Sequence, residues 1–127
     1  MATITNLKLK LIKHDHSKKT AKIKVSYKVH LSCVEKRMKC LKFIENIELW
    51  GEDSPDPDDF LFRFPTGAFN VEADGLVSRS RTVTIGEEIL DEDGFPRPTD
   101  EVYAKVRISP LLPKGHSAKS NTIEHRF

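Results

Sequence analysis

The stretch Thr20–Cys33, TAKIKVSYKVHLSC, alternates apolar and polar residues along its whole length. Successive side chains of a β-strand point to opposite faces of the sheet, so this period of two predicts a long strand with one buried and one solvated face. The predicted buried face carries Ala21, Ile23, Val25, Tyr27, Val29, Leu31 and Cys33, and the solvated face carries Lys22, Lys24, Ser26, Lys28, His30 and Ser32.

The preceding segment repeats the alternation, with Leu7, Leu9 and Leu11 on one side, and the turn HDHSKK joins it to the first stretch. We therefore predict an antiparallel pair of strands. Its outward side should form one basic face, which is either a plain solvated face that discourages edge pairing or a surface for a charged partner. The lysines concerned are Lys8, Lys10, Lys22, Lys24 and Lys28, with His30 beside them.

The rest of the chain continues the pattern of short alternating runs separated by Gly, Pro and Asp turns. The segment Glu35–Cys40 is predicted as a loop, with one helical turn as the alternative. Seven such strands predict an all-β protein, a single antiparallel β-sandwich domain spanning residues 1–127. The further strands are predicted at Leu41–Trp50, Phe60–Phe64, about Val77–Ile85, Glu101–Ser109 and Ser117–Arg126.

The segment DEVYAKVRI, Asp100–Ile108, resembles the D-x-A-x-Y-x-C run of the immunoglobulin and fibronectin type III group. Ala104 stands where that group has its corner tyrosine, and Val106 stands where it has its cysteine. The resemblance implies an immunoglobulin-like topology, with a jelly-roll or transthyretin-like sandwich as the alternative. It carries no function, because sandwiches of this kind host many unrelated activities.

Composition restricts the class of protein further. The chain has 127 residues and a net charge of +2, so its charge gives no reason to expect nucleic acid. The N-terminal segment lacks the apolar block of a secretory signal, and no window is apolar enough to span a membrane. Cys33 and Cys40 are predicted to be reduced thiols. We expect a cytoplasmic protein without a membrane segment.

Two acidic stretches, LWGEDSPDPDDF at 49–60 and GEEILDEDGFPRPTD at 86–100, should meet at one end of such a sandwich. Turn chemistry alone can explain acids among Pro and Gly. A weak calcium site is the alternative, although the helix–loop–helix ligand spacing is missing. The residues of that alternative are Asp53, Asp56, Asp58, Asp91 and Asp93.

Enzymatic chemistry has little support in the sequence. Carboxylates in exposed turns should stay ionised and make poor general acids, and the common hydrolase motifs are missing. His14 and His16 could face the same side of an extended segment, but no third zinc ligand lies near them in sequence. We therefore predict no catalytic residue, no metal and no cofactor. A small hydrolase-like enzyme or a nucleic-acid-binding domain is kept only as a disfavoured alternative.

The remaining hypothesis is a protein-binding or assembly module that contacts a protein partner or a second copy. Trp50 lies on the polar side of its predicted strand, so we expect it to be exposed as an anchor. The alternative is a Trp that folds over the end of the sheet as part of the core. The predicted acidic rim around Trp50 consists of Asp53, Asp56, Asp58 and Asp59.

Overall fold

The computed structural model describes residues 2–38, 40–52, 57–72, 74–90, 101–111 and 117–126. These residues form seven strands, one short 3-10 helix and one short α-helix, α1 (Glu87–Leu90). The 3-10 helix is Glu35–Arg37. The strands are β1 (Thr3–Asp15), β2 (Thr20–His30), β3 (Lys42–Gly51), β4 (Asp59–Arg63), β5 (Gly67–Asn70), β6 (Leu76–Gly86) and β7 (Val102–Leu111).

The strands form two antiparallel sheets. The first has the order β1-β2-β6. In the second, β7 pairs along the whole of β3 on one side, while β4 and β5 pair with successive parts of β3 on the other side. The fold is therefore an all-β sandwich, as the alternating sequence predicted.

The core lies between the two sheets and is built by alternate residues of β2 and β3. Val25 and Val29 from β2 and Phe43 and Leu49 from β3 are almost completely buried. Phe43 stacks on Phe69 of β5 with ring centroids 5.4 Å apart. The predicted inward face of Thr20–Cys33 is confirmed from Ala21 to Val29, and the strand itself ends at His30.

One predicted strand is not formed, and one observed strand was not predicted. Ser117–Arg126 forms no strand, because its few apolar residues cannot cover one face, and Ile123 is 72% exposed. The strand β5 was missed, because four residues containing a glycine are too short to show alternation. In the connection before β3, Glu35–Arg37 forms a 3-10 turn, and Cys33 and Cys40 are exposed free thiols.

Strand β1 contains two irregularities that change which side chains face the core. One extra residue lies between Thr5 and Lys8, where Asn6 has a positive φ of 52°, and another lies between Leu11 and Lys13. Each bulge reverses the inward and outward parity of the residues after it. Leu7 lies within the first bulge and is 41% exposed, whereas Leu11 pairs with the inward residue Ile23 and is still 56% exposed, so the predicted leucine face is incomplete.

Candidate functional site

An aromatic cluster lies on the outward face of the second sheet, where β3, β4 and β7 run side by side. Trp50 of β3 is directly opposite Phe60 of β4 and Tyr103 of β7. The Trp50 and Phe60 rings meet edge to face with centroids 5.7 Å apart. The Lys105 ammonium lies 4.3 Å from the centroid of the Trp50 ring. We call Trp50, Phe60 and Tyr103 the aromatic patch.

The position of Trp50 distinguishes between the two predictions made for it. Its side chain points outward, away from the sandwich core, but it is half-buried rather than fully exposed. Phe60 and Lys105 cover part of the ring, and its Nε1 donates a hydrogen bond to Glu48 at 3.2 Å. Phe60 is 50% exposed, so the patch presents an aromatic surface to solvent.

The acidic stretch 49–60 lies beside this patch through Asp58 and Asp59, whereas residues 91–100 of the second acidic stretch lie outside the described residues. The Tyr103 hydroxyl donates to Asp58 at 2.6 Å, and this hydrogen bond raises the pKa of Tyr103 to about 12. Glu52 donates its backbone N–H to the carbonyl of Glu101 at 2.7 Å, which joins the β3–β4 connection to the start of β7. Asp59 opens β4 and is exposed. The other predicted rim and calcium residues, Asp53, Asp56, Asp91 and Asp93, lie outside the described residues.

Basic residues follow the aromatic patch along the same face. Arg63 pairs with Glu48 at 2.5 Å, and this hydrogen bond lowers the pKa of Glu48. Lys105 and Arg107 of β7 are exposed. The face therefore changes from acidic at the Asp58 end to basic along β7.

The lysine face predicted on the first sheet is assembled by the β1–β2 pairing. Lys10 lies directly opposite Lys24, while Lys8 faces Ser26 and Lys28 faces Thr5. Like charges opposite each other in adjacent strands destabilise the sheet. No ion pair to these lysines occurs within the described ranges. We use the term lysine face for Lys8, Lys10, Lys22, Lys24 and Lys28.

A cleft of about 570 Å³ opens near the end of the first sheet, close to α1. Its walls are mostly apolar, and His14 and Glu87 contribute its charged or polar groups. The His14 Nε2 lies 2.6 Å from a carboxylate oxygen of Glu87. The apolar lining residues are Leu9, Leu11, Ala21, Ile23, Leu90 and Val102.

A buried ionic cluster joins the two sheets. The Glu45 side chain has no solvent-exposed surface and accepts hydrogen bonds from Tyr27, Arg79 and Arg81. Arg79 contacts both carboxylate oxygens at 3.0 Å, and Arg81 contacts one at 2.5 Å. Arg81 also donates to the carbonyl of Pro65 at 2.9 Å. The cluster connects β2, β3 and β6 through a single carboxylate.

Sequence reasoning missed this cluster, although a signal for it exists. Glu45 falls on the buried parity of β3, between Phe43 and Ile47, where the alternation predicts an apolar side chain. Arg79 and Arg81 break the inward parity of β6 in the same way. Opposite charges at inward positions of two strands are the pattern expected of a buried ion pair, because buried charges need partners.

Gly67 explains how three long polar side chains fit between the sheets. A Cβ atom at this position would collide with the Arg81 guanidinium and the Glu45 carboxylate. Gly67 lies directly opposite Glu45 in the β3–β5 pairing. The missing side chain therefore leaves the space that the ion cluster occupies.

The protonation state of Glu45 follows from its partners. Burial raises the pKa of the Glu45 carboxyl group, but the hydrogen bonds from Arg79, Tyr27 and Arg81 outweigh burial and hold the pKa below its ordinary value. Burial and the Glu45 hydrogen bond raise the pKa of Tyr27. An ionised carboxylate bound by two guanidinium groups is a poor general acid, so the cluster has a structural role rather than a catalytic one.

Acid should weaken the folded protein through Glu45. Because the folded-state pKa is below the unfolded one, the stabilisation is present in full above the unfolded pKa and is lost as the pH falls through the folded value. We expect the stability difference between wild type and Glu45→Gln to be constant at neutral pH and to shrink as the pH falls below the ordinary glutamate pKa of 4.5. Urea unfolding of both proteins at several pH values measures this difference in the free energy of unfolding. A difference that stays constant with pH would contradict the lowered pKa of Glu45.

Comparison of the chain with models of protein families and with curated proteins found no match in either set. No helix in the described part of the chain combines the length and the apolar character needed to cross a bilayer.

Proposed function

We propose that the protein is a non-enzymatic protein-binding or assembly module that docks through its aromatic patch. The observation that supports this most strongly is the outward position of Trp50, with the half-exposed Phe60 ring against it and Tyr103 opposite. Aromatic side chains near the centre of an interface supply much of its binding free energy. The absence of enzymatic activity and the cytoplasmic location remain predictions from the sequence.

The charge on the Asp58 side of the patch favours a basic partner surface there. Asp58 lies against Tyr103, and Asp59 and Glu52 flank it at the same end of the sheet. Charges at the rim of an interface act mainly on the rate of encounter and on its salt dependence. The patch thus combines an apolar centre with an acidic side.

The first partner to test is a second copy of the chain, because its lysine face has the complementary charge. Lys10 and Lys24 lie opposite each other at a cost in stability, and an acidic surface placed over them would relieve that repulsion. A contact between two different faces is heterologous, so it can extend beyond a dimer. A basic surface on another protein is the alternative occupant.

Trp50→Ala and Asp58→Asn should impair binding in different ways. Trp50→Ala should raise the dissociation rate by a factor equivalent to about 2 kcal/mol or more. Asp58→Asn should mainly slow association and reduce its dependence on salt. Sedimentation at several concentrations shows whether the chain self-associates. If the partner is another protein, affinity capture identifies it, and binding kinetics with that purified partner measure both rate constants.

Ile44→Ala is a suitable control, because Ile44 is half-buried on the same face of β3 but lies at the far end of the strand from Trp50. It should leave both rate constants close to wild type. Lys10→Glu/Lys24→Glu should abolish self-association and leave binding to another protein intact. If Trp50→Ala unfolds the protein while binding by the folded fraction is unchanged, Trp50 is a structural residue and the proposal is wrong.

A further inference from the structure

We propose that His14, His16 and Glu87 form a binding site for a divalent transition metal, with Zn²⁺ as the best-suited ion. One ligand atom from each of these three side chains lies within 4.8 Å of the others. The His14 and His16 ring centroids are 4.1 Å apart. The two histidines are close in the sequence, but Glu87 follows more than seventy residues later, so only folding brings the carboxylate to them.

The second bulge of β1 places His14 where it can reach Glu87. Before that bulge, Lys8 and Lys10 share the outward face, and regular alternation would place His14 on the same face. The extra residue between Leu11 and Lys13 reverses the parity, so His14 pairs with the buried residue Ala21 and lines the cleft. Bulges that redirect a side chain are frequent next to functional sites.

Backbone hydrogen bonds hold the other two ligands in position. Asp15 Oδ1 accepts hydrogen bonds from the backbone N–H groups of Ser17 and Lys18, both at 3.1 Å, which orders the turn that carries His16. The backbone N–H of Glu87 donates to the Lys19 carbonyl at 2.9 Å. Glu87 is therefore tied directly to the turn between β1 and β2, so the three ligands belong to one ordered unit.

The donor set matches zinc chemistry. Zn²⁺ binds imidazole nitrogen at about 2.0–2.1 Å and carboxylate oxygen at about 2.0–2.2 Å, usually with tetrahedral geometry. Two ligand atoms of a tetrahedral zinc ion are then roughly 3.3–3.5 Å apart. This separation is longer than the 2.6 Å between His14 Nε2 and the Glu87 carboxylate and shorter than the 4.8 Å within which all three ligand atoms lie. Small side-chain rotations are sufficient, and the metal takes the place of the hydrogen-bonding proton between His14 and Glu87.

Three protein ligands leave the fourth position of a tetrahedral ion to water or to a bound molecule. His14 and Glu87 also line the apolar cleft, so a molecule that enters the cleft lies beside the metal. The site is separate from the proposed docking surface, because its histidines belong to the first sheet and the aromatic patch lies on the second.

Titration of the metal-free 127-residue chain with Zn²⁺ tests the site, using calorimetry or competition with a chromophoric chelator. We expect one ion per chain. His16→Ala and Glu87→Gln should each weaken binding by about tenfold or more, since even partners outside the coordination shell contribute that much. With Co²⁺ as the probe, wild type should show the strong visible absorption of a four-coordinate site, and both variants should lose it.

Two matched variants control for adventitious binding by surface residues. Glu88→Gln changes the neighbouring carboxylate, and His30→Gln removes an exposed histidine whose ring instead contacts Thr5 at 2.9 Å. Both should bind Zn²⁺ within about twofold of wild type and keep the Co²⁺ spectrum. Failure of wild type to bind one ion, or an equal loss in the control variants, would overturn the proposal.

Discussion

Replacing Glu45 with alanine should lower the free energy of unfolding by about 3–5 kcal/mol, the usual cost of removing one partner from a buried ion pair. The change leaves the guanidinium groups of Arg79 and Arg81 between the sheets without their carboxylate, and it removes the acceptor of the Tyr27 hydroxyl. Equilibrium unfolding in urea, followed by Trp50 fluorescence and by circular dichroism, measures the loss.

The pair of Glu48 and Arg63 supplies the control on the same strand. Its Arg63 and Glu48 side chains are 60% and 22% exposed, whereas the Glu45 side chain is fully buried. Glu48→Ala should therefore cost no more than about 1 kcal/mol, as exposed ion pairs do. Equal losses in the two variants would show that burial of Glu45 is not what makes its ion pairs important.

A combined substitution separates the cost of an unpaired charge from the value of the ion pair itself. Tyr27→Phe, Glu45→Leu, Arg79→Met and Arg81→Met together remove all the charges and the buried hydroxyl. Apolar replacements of whole buried ion clusters are often neutral or stabilising. We expect this variant to be clearly more stable than Glu45→Ala, because no buried polar group then lacks a partner.

Phe43→Ala should destabilise the protein by about 3–5 kcal/mol, the range found when a buried phenylalanine is truncated. Phe43 is 1% exposed and stacks on Phe69, so the substitution opens a cavity in the core between the two sheets. The loss is a large part of the roughly 5–15 kcal/mol that stabilises a typical domain. Urea unfolding measures it, and Phe43→Leu should show a smaller loss if alanine prevents folding.

Phe60→Ala is the matched control in the same sheet. Phe60 is 50% exposed and contacts Trp50 on the outward face, so its removal leaves no buried cavity. We expect a loss within about 1 kcal/mol, together with weaker partner binding if the aromatic patch is the docking surface. A loss as large as that of Phe43→Ala would place Phe60 in the structural core.

Local alternation was sufficient to predict most of the strands, because a buried face leaves a period of two in the sequence. It located β1, β2, β3, β4, β6 and β7 and the outward direction of Trp50. It failed at Ser117–Arg126, which has too little apolar surface for a strand, and at β5, which is too short to show a pattern. Alternation reports one strand at a time, so it is least informative for short or mostly polar segments.

The sequence by itself determined the all-β class, the lysine-rich side of the first hairpin and the aromatic and acidic composition of the proposed docking stretch. Each of these properties belongs to residues that are neighbours along one strand or one turn. Tertiary structure alone decided that Glu45 meets Arg79 and Arg81, and that Glu87 meets the two histidines. Those groups come from different strands, and their meeting depends on pairing register, on sheet stacking and on a single-residue bulge that reverses side-chain parity.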